Sequence, residues 1–327
     1  MKSSTFYLTL AALLLLGLLP LLGSAYTLRI GTFACMYAIM SVSWTVIGGF
    51  AGYPSFATAA FFGFGAYCGG ILLGQGWPLA AAAGTAGLIA FVVAFLFGMV
   101  LLRLRGHYFA IASLAVAEVL REVANSATDL TGGGMGLNIP LDLKGGSSIM
   151  GEASFFFWCM WTLLILAFIA VRLIQVSRLG FGLVCIRQNE AAADMIGVNA
   201  TVYKSVAFAC SGVLVATAGT YYAAWVHYIE PTDVFDVLFA IKPIVMALLG
   251  GLGSPAGAIV GAFVFLGIEE AVWRNFLQIH TGVLGLLIVL LLLFLPNGLM
   301  SLSERWGLAG WLKRAPARRR AGEDAGE

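Results

Sequence analysis

Three ionisable residues interrupt an otherwise apolar stretch, residues 108–124. Glu118 and Glu122 are four positions apart, so a helix would place them one turn apart on one face, with Arg121 between them. Ionisable groups in a membrane helix are costly and usually face protein or water. Two interpretations follow: an ion pair with Arg121 or a neighbouring helix, or carboxylates that line a path for a polar solute. On the second interpretation, Glu118 and Glu122 are candidate path residues.

A second polar segment, residues 187–197, has the signals of a short helix. Asn189 is the predicted N-cap, the three alanines that follow Glu190 favour helix, and Gly197 is the predicted stop. So short a helix is not stable alone. It therefore needs a surface to dock on, either its own membrane domain or another protein.

Two clusters of glycine and proline, residues 48–55 and 250–257, predict breaks between helices. Paired breaks of this kind mark a transport path or an internal repeat. Tyr53 and Ser55 lie in the first cluster and are further candidates for lining a path. A third glycine-rich region, residues 125–153, is predicted to be an outer loop, which either docks a partner or is an inert connection.

Several kinds of chemistry have no motif in this sequence. It contains no His-Glu-x-x-His, no Gly-x-Ser-x-Gly and no phosphate-binding Gly-x-x-x-x-Gly-Lys-Ser/Thr. The five cysteines show no Cys-x-x-Cys spacing, and a net charge of +2 gives no sign of a nucleic-acid partner. We predict no catalytic residue, no metal site and no cofactor. If ATP drives transport here, another chain hydrolyses it.

The elements that position these residues are membrane helices. Apolar side chains make up 61% of the chain and charged ones 10%, against about 45–50% and about 25% in soluble proteins. Lipid offers no partner for backbone polar groups, and the apolar runs lack the alternation of a barrel. The predicted fold is an all-α polytopic membrane protein with about ten transmembrane helices, at residues 5–25, 30–49, 56–74, 79–102, 108–124, 155–173, 204–226, 237–250, 257–272 and 281–299.

The distribution of basic residues predicts the orientation. With a cytoplasmic N-terminus, most of the 18 lysines and arginines fall on the cytoplasmic side, as the positive-inside rule expects. The C-terminus is then also cytoplasmic. We expect a permease domain over residues 1–304, with a cytoplasmic segment at 174–203 and a periplasmic loop at 125–153, followed by a basic, disordered tail at 305–327. The first helix also resembles a signal peptide, but we expect it to be retained.

Six ordered blocks carry a resemblance to a known family: residues 52–67, 104–115, 130–137, 186–199, 250–257 and 295–299. Together they resemble the LivM-type permease subunits of branched-chain amino acid ABC importers, over nearly the whole length. The resemblance implies a complex in the bacterial inner membrane that contains a second related permease, two ATPase subunits and a periplasmic substrate-binding protein. Similar permeases carry urea, short amides or aromatic acids, so the implied substrate is a branched-chain amino acid or a related small polar solute.

The same resemblance makes the segment from Arg187 to Gly197 look like a coupling helix that fits a cleft on the ATPase. Glu190 and Asp194, one turn apart, are then expected to contact that partner. The implied ATPase-coupling residues are Arg187, Asn189, Glu190, Ala191, Ala192, Asp194 and Gly197.

Two other classes of function remain as alternatives. One is an ion-coupled secondary carrier that works alone, with Glu118 and Glu122 as proton-linked groups. The other is a membrane enzyme or scaffold, which the missing catalytic motifs disfavour. The predicted helix at 189–197 argues against a solitary carrier, which has no obvious use for it.

Overall fold

The computed structural model describes residues 3–104, 106–140 and 149–275, together with Gly282, Gly285, Gly298 and Leu299. Within these ranges the chain is helical apart from short connections and one two-residue strand pair, because long apolar runs must satisfy their backbone polar groups internally. The helices are α1 Ser3–Leu16, α2 Leu19–Leu22, α3 Ala25–Trp44, α4 Thr58–Gly74, α5 Leu79–Leu101, α6 His107–Ser126, α7 Thr128–Thr131, α8 Ile149–Val176, α9 Arg178–Gln188, α10 Glu190–Met195, α11 Ala200–Val226, α12 Pro231–Val234, α13 Leu238–Gly250 and α14 Pro255–Asn275.

Helix α11 is the centre of the bundle and packs against α3, α4 and α5. Its contact with α4 is at the level of the backbone. A Cβ atom on Gly65 would lie 2.1 Å from the carbonyl oxygen of Ala216, and one on Gly219 would lie 2.2 Å from that of Phe62. Small residues allow such close approach in a membrane, where dispersion contacts largely drive helix association. The Thr220 hydroxyl also donates to the carbonyl oxygen of Gly65 at 2.9 Å.

Five of the described helices are long and apolar enough to cross a membrane: Ala25–Phe50, Leu79–Leu101, Met150–Val176, Ala200–Val226 and Pro255–Arg274. The first includes a π-helical turn, Thr45–Phe50, that continues α3. This agrees with a helical, multi-pass membrane protein. Helix α13 has only 13 residues, about 20 Å at 1.5 Å per residue, against a hydrocarbon core of about 30 Å.

The bounds of four predicted spans were wrong. Residues 5–25 are not one helix: α1 ends at Leu16, and α2 restarts with Pro20 in its first turn, where a proline is tolerated because its missing N–H has no helical acceptor. The span predicted at 30–49 starts earlier, at Ala25, because the Ser24 hydroxyl accepts from Thr27 N at 3.3 Å and caps the helix.

The span predicted at 257–272 is longer in the structure, where α14 has 21 residues. The span predicted at 155–173 starts earlier, at Ile149, and α8 has 28 residues. The tenth predicted span, 281–299, lies almost entirely outside the described residues, and the predicted tail at 305–327 lies wholly outside them.

The outer loop predicted at 125–153 contains regular structure. After α7 and a 3-10 turn, Gly133–Met135, the strand β1, Leu137–Asn138, pairs antiparallel with β2, Tyr228–Ile229, directly after α11. Gly136 makes this approach possible: its φ is +75°, and a Cβ there would lie 2.5 Å from the carbonyl oxygen of Ile229. The loop is therefore fastened to the end of the central helix.

Candidate functional site

The short helix α10 forms as its local signals predict. The side-chain oxygen of Asn189 accepts from Ala192 N at 3.2 Å, and Gly197 takes a φ of +85° just beyond the helix. Val198 N then donates to the carbonyl oxygen of Ala193 at 3.0 Å and closes the helix end. The predicted cap and stop are thus confirmed. Arg187 is a correction: it belongs to α9, and Asn189 separates the two helices.

Two side chains of α10 face inward, the apolar Ala193 and the acidic Glu190. Ala193 is 1% exposed and packs in a small cluster with Ile186 and Ala200. The C-terminal end of the helix faces out: Met195 is 82% exposed and Ile196, directly after the helix, is 70% exposed. Ala191, Asp194 and Gly197 are also exposed and Ala192 is half-buried. This places an apolar tip with one carboxylate at the surface.

Glu190 faces inward, where it meets a buried lysine. The Lys204 side chain is 1% exposed, yet its ammonium group has three acceptors. Nζ lies 2.7 Å from Glu190 Oε1, 2.9 Å from the carbonyl oxygen of Leu102 and 3.1 Å from the Tyr53 hydroxyl. An ammonium group has three hydrogens to donate, so this set of acceptors is complete. Nothing in the sequence singled out Lys204 beyond its contribution to the positive charge of one membrane face.

Tyr53 completes the cluster. Its hydroxyl donates to Glu190 Oε2 at 2.9 Å, and Lys204 Nζ lies 4.5 Å from the centre of its ring. Burial raises the pKa of the Tyr53 phenol, so the group stays protonated at neutral pH and keeps this donor. The sequence placed Tyr53 and Glu190 in separate candidate sites, a path and a docking helix. The structure joins them in one polar cluster.

Arg187 ties α9 to the first glycine break. Its Nη1 donates to the carbonyl oxygen of Gly49 at 2.6 Å. Its side chain lies against Gly52, where φ is +75° and a Cβ would be 2.9 Å from Arg187 Cγ. The second break is in contact with the first, because a Cβ on Gly49 would lie 3.0 Å from Gly253 N. Gln175, near the end of α8, donates to the carbonyl oxygen of Gly253 at 3.2 Å. The two breaks therefore meet beside α9.

The other candidate path residues occupy different surroundings. Ser55 is 2% exposed and its hydroxyl accepts from Ala57 N at 3.3 Å, so its side chain shapes the loop before α4. The Glu118 side chain is 61% exposed and forms an ion pair with Arg121, the first of the two interpretations given above. Glu122 is exposed on the same helix. The loop that holds Ser55 is fastened to α6, because Phe56 N donates to the Ser113 hydroxyl at 2.9 Å.

Comparison with known families agrees with the membrane fold. A family profile described as a branched-chain amino acid transport system permease component matches residues 26–295. The chain belongs to this family. Membership disfavours the ion-coupled secondary carrier and identifies the chain as a multi-pass permease component.

Individual permease components are similar over most of the chain. LivM of Salmonella typhimurium, a high-affinity branched-chain amino acid transport system permease protein, is 28% identical over 317 residues, which cover 87% of this chain and 72% of LivM. LivH of Escherichia coli, a permease protein with the same description, is 26% identical over 296 residues, covering 84% and 94%. The autoinducer 2 import permease LsrC of Yersinia pestis is 30% identical over 221 residues, covering 64% and 61%. No solved structure matches the chain.

Proposed function

We propose that this chain is one of two related permease subunits of an ATP-driven importer for branched-chain amino acids or related small polar solutes. The observation that supports this most directly is the double similarity to LivM and LivH, both permease proteins of a branched-chain amino acid transport system. One chain then forms half of the translocation path and its related partner forms the other half. A periplasmic binding protein delivers the solute, and two ATPase subunits supply the energy.

The ATPase docks on the segment from Arg187 to Gly197. The exposed tip of α10 supports this assignment, since Met195 and Ile196 offer apolar surface beside the Asp194 carboxylate. Exposed apolar groups rimmed by polar ones are typical of interaction sites. A groove of about 520 Å³ runs beside the helix and is bordered by Arg103, Asp194 and Asn199.

Within this segment the residues divide into three roles. Asp194, Ala191 and the apolar tip contact the ATPase, while Asn189 and Gly197 keep the helix folded. Glu190 and Arg187 hold the segment to the membrane domain, since their charged groups are bound to Lys204 and Gly49. This differs from the expectation that Glu190 contacts the ATPase.

The proposed topology keeps ten spans in a bacterial inner membrane, with both termini in the cytoplasm. The short or charged helices α4, α6 and α13 then cross with support from their neighbours. The docking segment and both glycine breaks lie at the cytoplasmic face, where most basic residues also fall. The loop after α6 and the β1–β2 pair lie at the periplasmic face, where a binding protein docks.

The translocation path runs along the exposed face of α6. Glu118 and Glu122 lie on that face in the single chain, where lipid would be a costly neighbour for a carboxylate. A second permease packed against α6 would enclose them with water or solute. Tyr53 and Ser55 shape the cytoplasmic end of this path, next to the loop bound to Ser113.

Co-purification and reconstitution test the proposal. The tagged chain is purified from native membranes, its bound subunits are identified, and the complex is placed in liposomes for leucine uptake with and without ATP. We expect ATPase subunits to co-purify and uptake to require ATP. If the chain purifies without an ATPase and takes up leucine on a proton gradient alone, the proposal is wrong.

A charge reversal at the tip of α10 locates the contact. Asp194→Arg is expected to reduce the amount of bound ATPase at least severalfold, because interface charges govern partner recognition. Asp129→Arg reverses another exposed acid, in α7, on the face assigned to the periplasm, and serves as the control. Equal loss of ATPase in both variants would refute the docking site.

A further inference from the structure

Lys204 joins four segments of the chain at one buried point. It lies in the first turns of α11, and its ammonium group bonds to α10 through Glu190, to the end of α5 through Leu102 and to the loop before α4 through Tyr53. A lysine that is 1% exposed in a membrane protein is costly to bury. A buried ion pair adds little net stability compared with apolar packing, so stability alone does not account for the arrangement.

The attachment of α10 depends heavily on this point. The helix has six residues, and Ala193 is its buried apolar side chain. Its remaining apolar surface, Met195 and Ile196, faces out. A partner that pushes on the exposed tip therefore acts on an element held by the Ala193 methyl group, by the Glu190 carboxylate and by the Asp194 carboxylate, which accepts from Ala200 N at 3.4 Å. The Glu190 carboxylate has both oxygens bound, one to Lys204 and one to Tyr53.

We propose that Lys204 is the positioning residue that transmits movement of α10 to the helices of the membrane domain. Through Lys204, a displacement of Glu190 is passed at once to the end of α5 and to the Tyr53 loop that leads into α4. The contact of Arg187 with Gly49 is a second, parallel connection to the first glycine break. This inference rests on the proposed function, because it takes an ATPase docked on α10 as the source of the movement.

The inference predicts uncoupling without loss of assembly. Lys204→Met keeps the exposed tip that the ATPase binds but removes all three donors at the buried point. We expect the ATPase to co-purify and to hydrolyse ATP, while uptake per ATP hydrolysed falls about tenfold or more, equivalent to about 1.4 kcal/mol of lost coupling. Glu190→Gln keeps the size and one acceptor oxygen, but it removes the charge and replaces the second oxygen with an amide donor. It is expected to give a smaller fall than Lys204→Met. The double variant is expected to be no worse than Lys204→Met, because both changes break the same Lys204–Glu190 ion pair.

The matched control is Lys242→Met. Lys242 in α13 forms an ion pair of the same length, 2.7 Å, with Glu269 of α14, and the two side chains are 22% and 21% exposed. Loss of this ion pair is expected to lower the amount of folded complex and so to change leucine uptake and ATP hydrolysis by the same factor. The ratio of uptake to hydrolysis is expected to stay within about twofold of the wild type. A purely structural role of Lys204 would give the same pattern as this control.

The experiment measures three quantities on the whole complex in liposomes: bound ATPase, ATP hydrolysis and leucine uptake. An unchanged ratio of uptake to hydrolysis in Lys204→Met, or an equal fall in Lys242→Met, overturns the inference. If Lys204→Met does not accumulate, the test uses Glu190→Gln and Tyr53→Phe. An unchanged ratio of uptake to hydrolysis in both of these variants also overturns the inference. Failure of the proposed function is distinct, because the wild-type chain would then purify without any ATPase.

Discussion

Replacing Gly65 with alanine is expected to force apart the two helices at the centre of the bundle. The new methyl group would lie 2.1 Å from the carbonyl oxygen and 2.4 Å from the Cα atom of Ala216. Both are backbone atoms, so no rotation of a side chain relieves the overlap. Normal contact between carbon and oxygen is over 3 Å, so α4 and α11 must separate by roughly 1 Å. A gap of this size removes a quarter to a half of the dispersion energy of each contact between the two helices.

The magnitude follows from overpacking. Extra methyl groups in a filled core cost about 1–3 kcal/mol, and the separation also lengthens the bond from the Thr220 hydroxyl to the Gly65 carbonyl, now 2.9 Å. Alanine in place of a helical glycine returns about 0.5–1 kcal/mol of backbone entropy. We therefore expect a net destabilisation of about 1–2 kcal/mol.

Gly84 supplies the matched control. It lies within α5 and is exposed, and beyond the backbone of its own helical turns no described atom lies within 4 Å of a Cβ placed there. Gly84→Ala changes the same atoms in the same kind of element without an overlap, so it should be neutral or slightly stabilising. Both variants are purified in detergent, heated in steps and assayed for the remaining monodisperse fraction by size-exclusion chromatography. A Gly65→Ala midpoint equal to or above that of Gly84→Ala would refute the packing argument.

Two further predictions concern α10 and Tyr53, the tyrosine bound to Glu190. Asn189→Ala removes the side-chain acceptor for Ala192 N, so we expect about 1 kcal/mol of local destabilisation. The measurement is hydrogen exchange over residues 190–197, which is expected to be faster in this variant. Asn189→Asp keeps the cap and is expected to exchange like the wild type. In the second, the raised pKa of Tyr53, caused chiefly by burial, means that the folded protein favours the protonated phenol. The stability that the protonated Tyr53 contributes is present below the ordinary phenol pKa of about 10. It is lost as the pH rises through the higher pKa of Tyr53 in the folded protein. An ultraviolet titration of the wild type against Tyr53→Phe checks this, and ionisation of Tyr53 at or below the ordinary value would contradict it.

The parts that could be predicted from the sequence are those with local causes. Asn189 and Gly197 act within one turn of the helix they delimit, so their identities were sufficient to predict α10. The apolar runs likewise predict α3, α5, α8 and α11 because each helix satisfies its own backbone groups. Element bounds were less accurate where one side chain decides them, as Pro20 and Ser24 do at the start of the chain.

The polar cluster around Lys204 could not be predicted, because its partners are distant in sequence. Lys204 is 14 residues from Glu190, 102 from Leu102 and 151 from Tyr53. Only the packing of α5, α10 and α11 brings these groups together. A lysine near a helix start, at the face predicted to be cytoplasmic, has a simpler explanation in charge bias. The contact between Gly49 and Gly253 could not be predicted for the same reason, although the sequence shows both helix breaks as glycine clusters.

The backbone contact between α4 and α11 also has a kinematic consequence. Two helices whose glycines face main-chain atoms at this range cannot slide along each other, because any axial shift would bring Cβ atoms of neighbouring residues onto the same carbonyls. Shear between packed helices is one of the two common modes of domain movement, and hinge rotation is the other. In the proposed transport cycle α4 and α11 therefore move as one rigid body, and the displacement takes place at boundaries where larger side chains leave room to repack.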